Sequence, residues 1–428
     1  MDIRDDQNHV FNVTLAKLIG LYQTLDPSTT KYRGKNVYRI VMAFITLYIG
    51  VTGVILTLSG AYYWKNNMPL SVDCYWKGIV SYAMCYSMCL VVHYSNDIWN
   101  CLSITCYGLT SNSLRDRHIL DGWRERSVLI TTILAFVYFM SALIFFVSAL
   151  ALSNDKLPVK NHEGLVRNYR YNLFNLYLFV SEDTYNAHYY MFYIVEGWGV
   201  VSLLTSFFVF DVVLVTLCLA ITCQLQMICT AFESVGHKSL ADHPSSNDCR
   251  DEKKELTNKH DLIHDELKTI IMDHQAVMKK YDVFLTLFKR VLLIQMVVFT
   301  IAFIITWFCF IMSFSNEERF KSSRTFIVKI FCGIPPNVFK LFATCYLFEK
   351  LHNQKDSIVF ALYSSNWTEM DMKCKKLILL TMKMNNANHK KLKFTRTKIV
   401  SLEMFFKTMR DSYSVLSVLI NYIKNMDE

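Results

Sequence analysis

The chain has 428 residues, of which 53% are hydrophobic and only 19% charged, with a formal net charge of +9. Soluble domains carry about a quarter charged residues, so this balance excludes an ordinary water-soluble globule and points to a membrane. The positive excess calls for no nucleic-acid partner, because basic residues gathered on the cytoplasmic face of a membrane account for it.

A helix crosses about 30 Å of hydrocarbon with roughly twenty apolar residues. Six such runs stand out, Ile40–Tyr63, Gly78–Leu102, Val128–Leu152, Tyr189–Ala220, Val291–Ser313 and Phe326–Glu349, followed by a weaker seventh, Ser401–Ile423. A backbone in lipid must satisfy its own hydrogen bonds, so the expected fold class is all-α, a polytopic membrane protein with seven transmembrane helices. Residues 1–39 are polar and charged (Asp2, Arg4, Asp5, Asp6, Lys31, Arg33) and read as a cytoplasmic segment, not as a cleavable signal. Lys and Arg crowd this segment and the stretches 103–127, 221–290 and 350–400, and are sparse in the alternate stretches. The positive-inside rule then places the N-terminus in the cytoplasm and the C-terminus outside. In that orientation both sequons, Asn12-Val-Thr14 and Asn366-Trp-Thr368, are cytoplasmic and unglycosylated. Cys85, Cys89, Cys218, Cys309, Cys332 and Cys345 fall within spans, and Cys74 alone lies in an outer loop, so no disulfide framework is expected.

Residues 40–235 hold the first four spans. Their outer halves gather aromatic, Met and hydroxyl side chains: Tyr82, Met84, Tyr86 and Met88; Met140, Ser141, Phe145 and Ser148; Tyr193, Trp198, Ser202 and Thr205. An apolar cavity with a few polar anchors suits a small volatile organic ligand, although such a stripe also serves ordinary bundle packing. The 153–188 loop is rich in Tyr and Phe, which suits either a lid over the outer mouth or aromatics resting on lipid headgroups. Asp211, in "FFVFDVVLV", is an ionisable group inside a span and therefore a functional candidate. Its role is either a structural pairing, with Lys340, Lys329 and His93 as available partners, or conduction and coupling.

The 236–290 segment begins highly charged and turns helical from about Leu262, so the fifth helix is expected to start in the cytoplasm. Extensions of this kind build a cytoplasmic base able to join subunits. His260 and His264 stand four apart, but no third ligand accompanies them, so no metal site is expected. In 291–349, Pro335-Pro336 interrupts the sixth span, giving a static kink or a gating bend. Segment 350–400 reads as a cytoplasmic anchor. In the last span, 401–428, Ser414, Ser417, Asn421, Asn425 and Glu428 share one sector of about 120°. A polar stripe faces lipid only at high cost, so it turns to a water-filled pore or to hydrogen bonds within the bundle. Glycine-rich phosphate loops, nucleophile elbows and other enzyme motifs are absent from the sequence, and neither catalysis nor a cofactor is expected.

The stretch "LFATCYLFEKLHNQKDSIVFALYSSNW" (341–367), with "KLILLTMKM" (376–384) and "SLEMFFKTMRDSYSVLSVL" (401–419), resembles the insect odorant receptor signature. The matching residues are Cys345, Glu349, Ser357, Tyr363 and Trp367, then Ser401, Phe405 and the Ser412-Tyr413-Ser414 triplet. Phe348 stands where the family usually has Gly, and "NNANHKK" (385–391) replaces a common Pro, the marks of a divergent member. The resemblance implies an odorant-gated, non-selective cation channel in the plasma membrane of a sensory dendrite. It also implies a heterotetramer in which a ligand-tuned subunit, this chain, joins a co-receptor. The odorant would sit in the outer half of spans two, three, four and six, with the last helix lining the pore. A seven-helix G-protein-coupled receptor and a secondary transporter, with Asp211 as coupling site, are the rival readings.

Overall fold

The computed structural model describes residues 6–29, 31–64, 68–151, 156–160, 166–237, 249–312, 324–387, 391–394 and 398–426. Helix dominates, as it must where the backbone has only itself to bond with. The N-terminal segment folds into α1 (Val13–Leu18) and α2 (Leu21–Leu25), which bury Phe11, Leu21 and Leu25. Asn12 caps α1, its Oδ1 accepting from the Leu15 N–H at 3.1 Å, while its Nδ2 donates to Thr131 Oγ1 at 3.1 Å. A hairpin of β1 (Lys31–Tyr32) and β2 (Lys35–Asn36) turns through Arg33 and Gly34, whose φ values of 51° and 79° suit a tight primed turn. Asn36 then caps α3 (Val37–Tyr63).

α3 packs along α4 (Met68–His93), and glycine sets their approach. A Cβ at Gly78 would lie 2.9 Å from Thr57 Cγ2, and one at Gly53 would lie 3.1 Å from the Tyr82 ring. Small residues at such crossings let helix backbones come close where lipid supplies no hydrophobic drive.

The second apolar run divides differently from the expected Gly78–Leu102. The helix starts at Met68 and ends at His93, and the chain bends by 71° into α5 (Ser95–Leu102). Tyr94 leaves helical geometry, Ser95 and Asp97 suit a new first turn, and Ile98, Cys101 and Leu102 are buried. Apolarity alone does not separate a spanning segment from one bent across the bundle.

Two hairpin strands, β3 (Lys156–Lys160) and β4 (Val166–Arg170), and the short α7 (Glu182–Ala187) follow α6 (Arg117–Ala151). α8 (Tyr189–Ser234) is apolar on every side and buried through most of its length, the pattern of a central helix. Around it pack α3, α4, α6, α9 (Cys249–Met312) and α10 (Arg324–Ser364). The helical stretch expected from Leu262 is part of continuous α9. At the base, away from the 153–188 loop, α9 and α10 bury Tyr281, Phe284, Phe288 and Phe348, with the Phe284 and Phe348 rings stacked at 6.0 Å. α11 (Met372–Ala387) and α12 (Leu402–Met426) complete the fold.

Among the described residues, α3, α6, α8 and α9 are each long and apolar enough to cross a membrane, and α4 with α5 makes a fifth if the bent pair counts as one span. The chain is a largely helical, multi-pass membrane protein. No disulfide joins the described cysteines.

Candidate functional site

Five helices, with Phe174 from the segment before α7, line a cavity of about 200 Å³. Helical spacing selects its wall: Asp73, Trp76 and Lys77 from α4; Tyr138, Ser141 and Phe145 from α6; Val200, Leu203, Leu204 and Phe207 from α8. α9 adds Phe299, Thr306 and Cys309, and α10 presents Gly333, Pro336, Asn337 and Lys340, one face at three- and four-residue steps. An apolar cavity of about 150 Å³ already admits benzene, so this one holds a substituted ring or a short chain.

The cavity roof is a packed loop. Leu173, Phe174 and Leu176 are buried, and Phe174 reaches the cavity. Glu196 of α8 holds this turn: its Oε2 accepts from the N–H groups of Phe174 at 2.6 Å and Asn175 at 3.2 Å, and its Oε1 from that of Leu176 at 3.0 Å. Asn175 adopts a left-handed φ of 54°, which Asn tolerates better than most residues. Tyr63 donates to the Asn175 carbonyl, the Tyr177 N–H donates to Ser59 Oγ, and the Tyr62 and Tyr177 rings stack. Buried backbone donors need acceptors, and Glu196 supplies three at once. Glu196, in "YIVEGWG", is an ionisable residue within a span just as Asp211 is, and the same rule marks it as a candidate.

Behind the cavity wall lies a buried ion pair. Lys340 Nζ sits 2.9 Å from Asp211 Oδ1, and Tyr138 donates to Asp211 Oδ2 at 2.6 Å. The ammonium also lies 4.6 Å from the ring centres of both Phe207 and Phe299, where it gains from their π faces. Lys340 is thus a partner that Asp211 meets, while the Lys329 side chain lies outside the described residues. The group ties α6, α8 and α10 together at the cavity.

Of the remaining sequence candidates, Ser141 and Phe145 border the cavity. Tyr82, Tyr86 and Trp198 are exposed on the bundle surface, and Tyr82 lies against Thr57. Ser148 and Ser202 are buried elsewhere, Tyr193 donates to the Phe146 carbonyl, and Met140 and Thr205 are half-buried off the cavity wall. α10 continues through Pro335 and Pro336 as one helix, and Pro336 lines the cavity. On α12, Ser414, Ser417 and Asn421 are exposed while Leu416, Phe405 and Ser412 are buried against the bundle. The side chain of Asn425 and all of Glu428 lie outside the described residues.

A family model described as 7tm Odorant receptor matches residues 106–413. The fold is similar to that of the insect olfactory receptor OR5 from Machilis hrabei in complex with eugenol, with a TM-score of 0.69 and 12% identity over 96% of this chain and 98% of that one. A second structure of the same receptor matches with a TM-score of 0.63 and 14% identity over 95% and 97% of the two chains. No curated protein matches the sequence significantly.

Proposed function

This chain belongs to the 7tm odorant receptor family, and on that premise we propose that it is the odorant-tuned subunit of a ligand-gated, non-selective cation channel. The observation that carries this reading is the mostly apolar cavity under the Glu196-pinned loop. A small volatile ligand packs there against Phe145, Phe174, Leu203 and Phe299. Seven spans, a cytoplasmic N-terminus and an extracellular C-terminus place the loop end outside, where odorant arrives.

Ligand in the cavity touches α10 beside Pro335 and Pro336, two positions that offer no amide donor to the helix. Differential binding to a state with a rearranged α10 then favours opening, since a ligand shifts an equilibrium only by its differential affinity. α12 supports an assembly of several subunits. Its polar residues Ser414, Ser417 and Asn421 and its apolar residues Tyr413, Val415 and Val418 are all exposed within one chain. A heterotetramer with a co-receptor and surrounding lipid gives each face a partner, the polar one lining a pore and holding cations weakly enough to release them. Asn425 and Glu428 continue that stripe toward the outer mouth.

The test is expression with and without a co-receptor, recording current against an odorant panel with eugenol as one probe. Ligand-evoked, poorly selective cation current is expected, and Ser141→Phe, which places a ring in the cavity, abolishes it without reducing surface expression. Silence to every odorant in both conditions, or full responses in Ser141→Phe, overturns the proposal.

A further inference from the structure

The cavity wall carries two kinds of polar group. Some are already engaged: the Ser141 hydroxyl donates to the Val137 carbonyl, Tyr138 donates to Asp211, and Lys77 bonds Asp73. Others are not. The Asn337 amide, the Thr306 hydroxyl and the Trp76 indole N–H make no hydrogen bond to another described residue, yet all three border the cavity.

Resting on the odorant-binding reading above, we infer that this cavity selects uncharged, oxygen-bearing molecules, such as ketones, aldehydes, alcohols and ethers, over hydrocarbons of the same shape. Asn337 is the main anchor. Its amide both donates and accepts, so it serves a carbonyl and a hydroxyl alike. Trp76 only donates, which favours a ligand oxygen on that side. Polar groups that line a cavity bond water until a ligand displaces it. A ligand that expels this water without replacing its bonds leaves them unpaired, whereas an oxygenated ligand restores them.

Charge also limits the choice. Asp73 neutralises Lys77, and Asp211 neutralises Lys340. The Lys340 ammonium is moreover sealed from the cavity beside Phe207 and Phe299. A carboxylate or ammonium ligand would lose its hydration and find no free counter-charge.

Thermal stabilisation of the purified full chain by matched probes tests the inference: acetophenone against ethylbenzene, benzyl alcohol against toluene, with benzoate and benzylamine as charged controls. The oxygenated member of each pair is expected to act at an at least roughly tenfold lower concentration, and the charged controls not at all. The near-isosteric Asn337→Leu closes that gap by weakening only the oxygenated member, and Thr306→Val supplies a second arm if Asn337→Leu does not fold. Equal potency within each pair, stabilisation by no neutral probe, a charged control acting best, or a loss that falls equally on both members in the variants overturns the inference. Ser141→Phe separates the two readings: probes that bind it undiminished occupy another site, and the cavity assignment itself then fails.

Discussion

Replacing Asp211 by Asn and Lys340 by Met, singly and together, asks whether the ion pair behind the cavity is a strut or a working part. Both side chains are almost wholly buried, 8% and 7% exposed, and their charges meet at 2.9 Å. Removing one partner strands the other charge, at a cost of about 3–5 kcal/mol. Asp211→Asn should fall toward the lower end of that range, because the ammonium keeps two aromatic faces. Lys340→Met leaves the carboxylate with the Tyr138 hydroxyl as its donor. In the double variant no charge remains, and the Met thioether packs between Phe207 and Phe299. Its stability should return to within about 2 kcal/mol of the wild type, because a buried pair is often replaceable by apolar groups. Melting of the purified chain, run as a double-mutant cycle, measures the coupling. Single-variant losses that add to within about 0.5 kcal/mol in the double variant would refute the reasoning, since residues in contact should not behave independently. Odorant-evoked current decides the role: a strut leaves the double variant conducting, whereas a folded but silent double variant makes the pair a coupling element.

Three further outcomes follow from the same physics. Glu196→Gln leaves a single acceptor oxygen where three N–H groups converge, and should cost about 1–3 kcal/mol. Hydrogen exchange across 172–178 should quicken, and unchanged protection there would show that Glu196 does not hold the loop. At the base, burial and the nearby Lys391 push His352 down to about 4, and its Nε2 accepts from the Leu392 N–H at 3.2 Å. The unfolded chain takes up this proton near pH 6.5, so the stability of the neutral ring is complete above that pH and fades as the pH falls toward 4. The loss at pH 5 is about 2 kcal/mol, measurable as a pH-dependent melt whose slope is reduced, not abolished, in His352→Gln, because burial also pushes His274 down to about 4. Asn421→Lys places a cation on the exposed polar face of α12 and should cut odorant-evoked cation conductance several-fold; unchanged conductance would remove that face from the pore.

Much of the architecture was legible in the residues. Helical membrane spans follow from apolar run length, and the aromatic 153–188 stretch pointed to a lid as one of two readings. The base ends of α6 and α9 extend beyond their apolar runs because charged residues there continue a helical pattern in water, whereas α8 extends through a buried base end that includes Leu225, Ile228 and Phe232. The bend at Tyr94 was hidden, since the residues after it are as apolar on one face as a span. Glu196 was legible by the rule that singled out Asp211, but its acceptor role depends on loop amides that come near it only in the folded chain.

The sequence by itself determined that this is a helical membrane protein with a family signature near its C-terminus, because hydrophobic length and motif spacing are local properties. Only the tertiary structure decided which side chains share the cavity. Periodicity defines a helix face but not its rotation toward its neighbours. Tyr82, Tyr86 and Trp198 therefore lie on the bundle surface, while Thr306, Asn337 and Lys340, distant along the chain, come to the cavity wall. Choosing Lys340 as the partner of Asp211 likewise required α8 and α10 to pack side by side, since ion pairing acts through space across more than a hundred residues of chain.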